Sequence, residues 1–210
     1  MGTNINSMNQ KGFLTLEAGS YPARCFAVID LGLQKSSYNG QEQEKDQIML
    51  MFEIPDELIE IDEEIMPRRL WLVYTKSIHE KSNLRRDLIA WRGRDFTEEE
   101  LNDFDIVNLI GAPCMLSISK KERGGNVYND IESISKLMKG VEIDNITQNW
   151  HFSMDDMNTW PCFVYFPDWL QQRINRSMTL VNAGIQIAKD GTAFEISKYG
   201  ESEHAATGFR

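Results

Sequence analysis

A segment rich in arginine, lysine and aromatic residues interrupts an otherwise acidic chain. Residues 68–94, RRLWLVYTKSIHEKSNLRRDLIAWRGR, hold eight Lys or Arg against two acids, Glu80 and Asp87, although the whole chain has a formal net charge of −10. The segment therefore carries +6 and the remaining residues −16. Cations follow the phosphates of a single-stranded nucleic acid, and flat rings stack on its unpaired bases for about 1–3 kcal/mol each. The composition of this segment is typical of such a binding surface.

The candidate groove residues lie on a predicted strand and on the helix that follows it. RRLWLVYTKS alternates, so Arg69 and Trp71 share one face of a strand and Tyr74 lies on the other. The predicted groove residues are Arg69, Trp71, Tyr74, Lys76, Lys81, Arg85 and Arg86. A structural interpretation stays open, in which Trp71 or Tyr74 belongs to the core and Arg85 and Arg86 form a solvated helix face.

A second basic element is the predicted β-hairpin SKKERGGNVY. It carries Lys120, Lys121, Arg123 and Tyr128 close to a glycine-rich tip. A basic hairpin with an aromatic residue can close over a ligand in the groove, and an ordinary solvated hairpin is the alternative. The glycine pair lacks the lysine–serine pair of a phosphate-binding loop, so a nucleoside triphosphatase is not predicted.

Carboxylates, thiols and imidazoles offer no catalytic or metal-binding pattern. The acidic run DELIEIDEEIMP contains no lysine that could assist a metal-dependent nuclease, and we interpret it as an exposed connecting loop. The three cysteines and three histidines share no metal-ligand spacing. The sequence therefore predicts no enzyme, no metal and no cofactor.

Composition indicates a protein of the reducing cytoplasm. The chain has 210 residues, 41% of them hydrophobic, which is enough for a packed core. No apolar run is long enough to span a membrane, and the N-terminus lacks the order of a secretion signal. An odd number of widely separated cysteines argues against a disulfide framework.

The order of the predicted elements indicates a fold class. Three strands, a helix and two further strands form the order of an OB-fold, a five-stranded barrel with its helix between strands three and four. The predicted fold is therefore mostly β, or α+β, with short helices and an OB-fold-like five-stranded barrel at residues 19–140. Residues 1–18 are expected to be a flexible N-terminus and residues 199–210 a flexible tail.

A C-terminal extension of different character is predicted at residues 141–198. It is polar with scattered aromatics, and FPDWLQQRINRS predicts a short helix that starts at Pro167. Leu170 and Ile174 share one face of this helix, which would dock on the barrel. Packing on the barrel and a role in assembly are both open for this extension.

Four segments resemble a known family. GSYPARCFAVIDLGLQ, HEKSNLRRDLIAWRGRDFTEEEL, LIGAPCMLSISKKERGGNVYNDIESISKL and FPDWLQQRINRS are similar to bacteriophage replication-module proteins regarded as OB-fold-like, single-stranded-DNA-binding proteins. The resemblance covers about residues 19–180. It implies a protein that coats single-stranded DNA in phage replication or recombination, in the cytoplasm of a bacterial host. No catalytic residues carry over.

Three hypotheses follow. The first is a non-enzymatic, sequence-tolerant binder of single-stranded DNA, with RNA, self-assembly and contacts with phage or host replication proteins left open. The second is an acidic protein-interaction or inhibitor module that binds a host protein. The third is a metal-dependent nuclease.

Overall fold

The computed structural model describes residues 15–38, 40–61 and 63–196, and these form a mostly β molecule with short helices. This confirms the predicted mostly β fold with short helices. In chain order the elements are β1 (Gly19–Tyr38), β2 (Gln41–Ile61), β3 (Glu64–Thr75), α1 (Asn83–Arg92), α2 (Glu98–Asn102), a 3-10 helix (Ile106–Leu109), β4 (Pro113–Arg123), β5 (Asn126–Ser135), β6 (Trp150–Phe152), a 3-10 helix (Met157–Tyr165), α3 (Asp168–Asn175), α4 (Met178–Ala183), β7 (Ile185–Ile187) and β8 (Ala193–Glu195).

The main sheet has the strand order β3-β2-β1-β4-β5, with all of these neighbours antiparallel. The long strand β1 is shared between both halves: residues 19–24 pair with β4, and residues 24–38 pair with β2. Short β6 pairs parallel with β1 at residues 27–29. Strands β3 and β5 do not pair within the described residues, so the predicted five-stranded barrel is not closed.

Two bulges bend β1, which pairs with β4 in one half of the sheet and with β2 in the other. One lies between Cys25 and Ala27, and the other lies between Asp30 and Gly32. Gly32 adopts a φ of 66°, and its N–H donates to Asp30 Oδ1 at 2.8 Å. Glycine reaches this conformation without steric cost, so Gly32 allows the second bend in β1.

Apolar layers cover both faces of the sheet. On one face α1 places Leu84, Leu88 and Trp91 against strand residues such as Phe52 and Leu116. On the other face the C-terminal extension forms a second core, which contains Phe26, Met49, Met51, Phe152, Phe163, Leu170 and Ile174. Residues 150–187 thus pack on the sheet, and Leu170 and Ile174 dock the helix that the sequence predicts after Pro167.

The helix boundaries follow local sequence signals. Ser82 Oγ accepts from the Arg85 N–H at the start of α1, and Gly93 ends that helix in the left-handed region with φ of 75°. Thr97 and Glu100 form a capping box at the start of α2.

The acidic run after residue 55 is a β-hairpin, and the prediction of a connecting loop is wrong. Strand β2 continues past Pro55 to Ile61, and β3 begins at Glu64, so the two strands form an arm. A register shift between Ile54 and Leu58 interrupts the ladder around Pro55. Proline is tolerated at such an interruption because no ladder hydrogen bond is needed there.

The predicted flexible termini lie largely outside the described residues. Of the N-terminal stretch, residues 15–18 are described, and Leu16 is buried with its N–H donating to Asn129 Oδ1 at 2.8 Å. The tail at residues 199–210 lies outside the described part. None of the helices that the structure describes is long and apolar enough to cross a membrane.

Candidate nucleic-acid interface

A groove of about 560 Å³ lies where β3 leaves the sheet. Its lining residues are Lys45, Gln47, Val73, Tyr74, Thr75, Ser77, His79, Lys81, Ser82 and Asn83. No carboxylate occurs among these lining residues, although the chain has a net charge of −10. The groove is thus a cationic and polar site on an acidic protein.

The end of β3 determines where this groove forms. Thr75 makes the last pair with β2, opposite Gln47, and the next backbone bond runs from the Lys76 N–H to Asp46 O at 2.8 Å. The Lys76 ammonium is anchored beside the groove by Asp30 Oδ2 at 2.7 Å. Partial burial opposes the charge of Lys76, but this contact with Asp30 raises its pKa. Lys76 is therefore held by a carboxylate next to the groove.

The loop after β3 presents His79 and Lys81 to the groove. The His79 carbonyl accepts from the Ser82 N–H at 2.8 Å, and His79 Nδ1 accepts from the Lys81 N–H at 3.3 Å. Lys45 reaches the groove from β2, two residues before Gln47 and beyond the last β3 pair. Within the described residues, neither Lys45 nor Lys81 has a carboxylate oxygen within the 4.0 Å of an ion pair. Both ammonium groups remain able to accept an anion.

Arg69 and Trp71 lie beneath the C-terminal extension. The Arg69 guanidinium is 5.3 Å from the centre of the Phe26 ring and 5.5 Å from that of Trp150, and it donates to Thr147 Oγ1 at 3.2 Å. Trp71 stacks on Trp169 of α3 at 5.0 Å between ring centres. Both side chains contribute to the attachment of the extension in this arrangement.

Tyr74 belongs to the core on the α1 side of the sheet. Its hydroxyl donates to Asp87 Oδ2 at 3.0 Å, and burial together with this carboxylate raises the pKa of Tyr74. Of the two strand aromatics that the sequence leaves open as core residues, Tyr74 belongs to the core on the α1 side. Trp71 is covered by the C-terminal extension. Neither ring offers an open face of the kind that base stacking needs.

The two adjacent arginines of α1 have acidic partners. Arg85 contacts Asp95 at 3.1 Å, and Arg86 contacts Asp87 at 2.9 Å. The Arg86 side chain is nevertheless 67% exposed. Arg86 can therefore exchange its partner for a phosphate more readily than Arg85, whose side chain is 16% exposed.

The predicted basic hairpin is present as β4 and β5, but its cations are paired. Gly124 and Gly125 form the tip with φ of 61° and 78°. Lys120 contacts Glu17 at 2.5 Å, and Asp130 lies 3.0 Å from Lys121 and 2.7 Å from Arg123. Tyr128 is half-buried opposite Lys121. The hairpin thus carries no unpaired excess of positive charge.

The structure separates the two predicted groups of site residues. Tyr74 and Lys81 line the groove, and Lys76 lies beside it. The hairpin projects near Gly19, which pairs with Ile118, whereas Gln47 of the groove pairs with Gly32 at the far side of both bulges. Lys45, His79 and Asn83 were not predicted, and only the register of Gln47 with Thr75 identifies Lys45 as a groove residue.

The remaining reactive groups are buried or dispersed. Burial raises the pKa of the Cys25 thiol to about 12 and that of Cys162 to about 11. These two thiols are therefore protonated and weakly nucleophilic at neutral pH. Among the residues that the structure describes, no group of three or more His, Cys, Asp or Glu side chains is arranged to hold a metal ion.

A buried ion pair joins the sheet to the extension. Arg24 Nε lies 2.5 Å from Glu53 Oε1, and the two side chains are 1% and 0% exposed. Arg24 also donates to Asn149 Oδ1 at 2.6 Å and to the Thr147 carbonyl. Glu53 accepts from the N–H groups of Ile146 and Thr147 at 3.3 and 3.0 Å. The pair fixes the connector that leads into the extension.

Comparison with known proteins adds no family assignment. No protein-family model matches the chain, and no curated protein matches it significantly.

Proposed function

We propose that the protein is a non-enzymatic, sequence-tolerant binder of single-stranded DNA that acts in phage replication or recombination. The observation that carries the proposal is the groove at the end of β3, which presents Lys45, His79 and Lys81 without a carboxylate on an acidic chain. Unpaired ammonium groups bind phosphates by releasing counterions, and this term does not depend on base sequence.

The topology supports an OB-fold-like core for this protein. The order β3-β2-β1-β4-β5, with α1 between β3 and β4, is that of an OB-fold opened between β3 and β5. OB-folds bind oligonucleotides on the middle strands and the adjoining loops. Here the extension covers one face of these strands, which leaves the end of β3 and its following loop as the accessible cationic site.

The test is fluorescence anisotropy with labelled oligo-dT and with a duplex of equal length, at about 50 and 200 mM salt. Wild-type protein is expected to prefer the single strand and to lose affinity steeply as salt rises. Replacing Lys45 and Lys81 with Ala should flatten the slope of log affinity against log salt by about 1.4, since each phosphate contact to a single strand contributes about 0.7. The matched control replaces Lys136 and Lys139, two exposed lysines after β5.

A charge insertion sharpens the test, because it leaves every cation in place. Asn83 lines the groove and is the first residue of α1, where an acidic side chain favours the helix. Asn83→Asp should therefore weaken oligo-dT binding without lowering Tm. Absence of binding by wild-type protein at low salt refutes the proposal, and an unchanged Asn83→Asp affinity refutes this groove as the site.

The same titration tests the hairpin clamp. Replacing Lys120, Lys121 and Arg123 with Ala should flatten the salt slope if these residues close over the strand. If their ion pairs with Glu17 and Asp130 persist in the complex, the slope should stay as in wild type. The comparison with the Lys45 and Lys81 variant assigns the phosphate contacts to the groove or to the hairpin.

A further inference from the structure

The β2–β3 arm, residues 55–67, exposes two large apolar side chains on one face. Leu58 is 58% and Ile65 73% exposed, the latter the most exposed large hydrophobic side chain described. The register places Leu58 opposite Pro67 and Glu60 opposite Ile65, so Leu58 and Ile65 share one face of the arm with the exposed Glu60 and the buried Pro67. Exposed apolar groups on a projecting hairpin are typical of a binding surface.

The arm is also strongly acidic. Residues 55–67 contain six carboxylates and no lysine or arginine. A partner must therefore offer cations next to an apolar floor and must not offer carboxylates. The groove at the end of β3 offers this chemistry: Lys45, Lys81 and Val73 are among its lining residues, and the lining contains no acid.

The arm and the groove of one molecule cannot contact each other. The arm contains the start of β3 at Glu64, and the groove lies at the other end of the same strand, at Thr75. A strand of this length spans about 35 Å at about 3.3 Å per residue, so the arm points away from its own groove. The complementary surfaces can meet only between two copies.

We propose that the arm of one copy binds the groove of a second copy, and that this contact competes with the nucleic acid for the groove. The second part rests on the proposed function. The interface is head-to-tail, so an open chain of copies keeps a free groove at one end and a free arm at the other. Such contacts build rings or open chains.

The experiment measures self-association without nucleic acid, by sedimentation velocity over a range of protein concentrations at low and high salt. Wild-type protein should form dimers and larger species at low salt, with fewer at high salt because the charges are screened. An arm variant (Leu58→Ser with Ile65→Ser) and a groove variant (Lys45→Glu with Lys81→Glu) should each remain monomeric. Val127→Ser, which changes an exposed apolar residue of the β4–β5 hairpin, and Lys136→Glu with Lys139→Glu serve as matched controls and should assemble as wild type does.

Mixing the two defective variants distinguishes this interface from a symmetric one. The groove variant keeps an intact arm and the arm variant keeps an intact groove, so an equimolar mixture should form heterodimers and nothing larger. Formation of that heterodimer also shows that both variants are folded. Wild-type protein that stays monomeric, an arm variant that still assembles, or a mixture without heterodimers overturns the proposal.

The test of self-association can fail or succeed independently of the test of DNA binding. Self-association through the arm and groove is measured without DNA, so it can be observed even if oligo-dT does not bind. If both occur, the arm variant should bind oligo-dT at least as tightly as wild type, because its groove is always free. Weaker binding by the arm variant would refute the competition.

Discussion

The buried Arg24–Glu53 pair gives the sharpest prediction about stability. Both side chains are almost fully excluded from solvent, and the pair connects neighbouring strands β1 and β2 to the backbone of residues 146–147 and to the Asn149 side chain. The perturbation is the set Arg24→Met, Glu53→Leu and the double variant. These apolar residues keep most of the buried volume, so the change isolates the charges and their hydrogen bonds.

The expected magnitude follows from what each change leaves behind. Removing one partner leaves the other charge buried without its counterion, which costs about 3–5 kcal/mol. Replacing both removes that penalty, so the double variant should be no less stable than either single variant. Glu53 also accepts from the N–H groups of Ile146 and Thr147, and each unpaired buried group costs about 1–3 kcal/mol. The double variant should therefore stay less stable than wild type.

Urea unfolding followed by circular dichroism gives the free energy of unfolding of each variant, and the double-mutant cycle gives the coupling energy. Hydrogen exchange supplies a local measurement. In the double variant the amides of Ile146 and Thr147 should exchange faster than in wild type, whereas amides of β4 and β5 should not change relative to global stability. Single-variant losses below about 1 kcal/mol, or losses that simply add in the double variant, would show that the pair is not buried as described.

Three further predictions concern other parts of the molecule. Gly32→Ala should lower the free energy of unfolding, measured in urea, by about 1–3 kcal/mol. Gly32 has a φ of 66°, and an added Cβ would lie 2.7 Å from Thr179 Oγ1. A variant as stable as wild type would contradict this prediction. Hydrogen bonds from Arg94 and Arg92 lower the pKa of Glu100 from 4.5 to about 2. These bonds therefore stabilise the folded state fully above pH 4.5, and the stabilisation is lost as the pH falls through 2. Glu100→Gln should thus lower Tm at pH 7 and match wild type near pH 2, and a constant difference would contradict this. Native protein should react slowly with a thiol reagent at pH 7, since burial raises the pKa of Cys162 to about 11, and all three thiols should react rapidly once unfolded.

Features set by nearby residues could be predicted from the sequence. The caps Ser82 and Gly93, the capping box at Thr97 and the glycine tip of the β4–β5 hairpin depend on contacts within a few residues. The alternation along β3 likewise assigned Trp71 and Tyr74 to opposite faces correctly. What covers each face could not be predicted, because Trp169 contacts Trp71 from a helix almost one hundred residues later.

The β2–β3 arm shows a different limit. The acids of this run predict a connecting loop, since charged residues are uncommon within strands, and proline is uncommon there too. The bulge before Leu58 accommodates the proline, and the projecting arm leaves Asp56, Glu60, Glu63 and Glu64 exposed to solvent. Strand propensity describes a half-buried sheet, so it is a poor guide to a hairpin that extends beyond the sheet.

The excess of positive charge in residues 68–94 is balanced mainly within the molecule. At least five of its eight cations form ion pairs: Lys76 with Asp30, Arg85 with Asp95, Arg86 with Asp87, and Arg92 and Arg94 with Glu100. Three of these four acids lie outside the segment, so a charge count over a window of sequence cannot include them. A polyanion gains little from a cation that must first release a carboxylate, because the two attractions nearly cancel. The binding surface of an acidic protein is therefore better identified by cations without a carboxylate partner than by where cations are numerous. By that criterion the groove lined by Lys45 and Lys81 is the candidate site, and the neighbouring Lys76, which interacts with Asp30, Asp46 and Asp155, is not part of it.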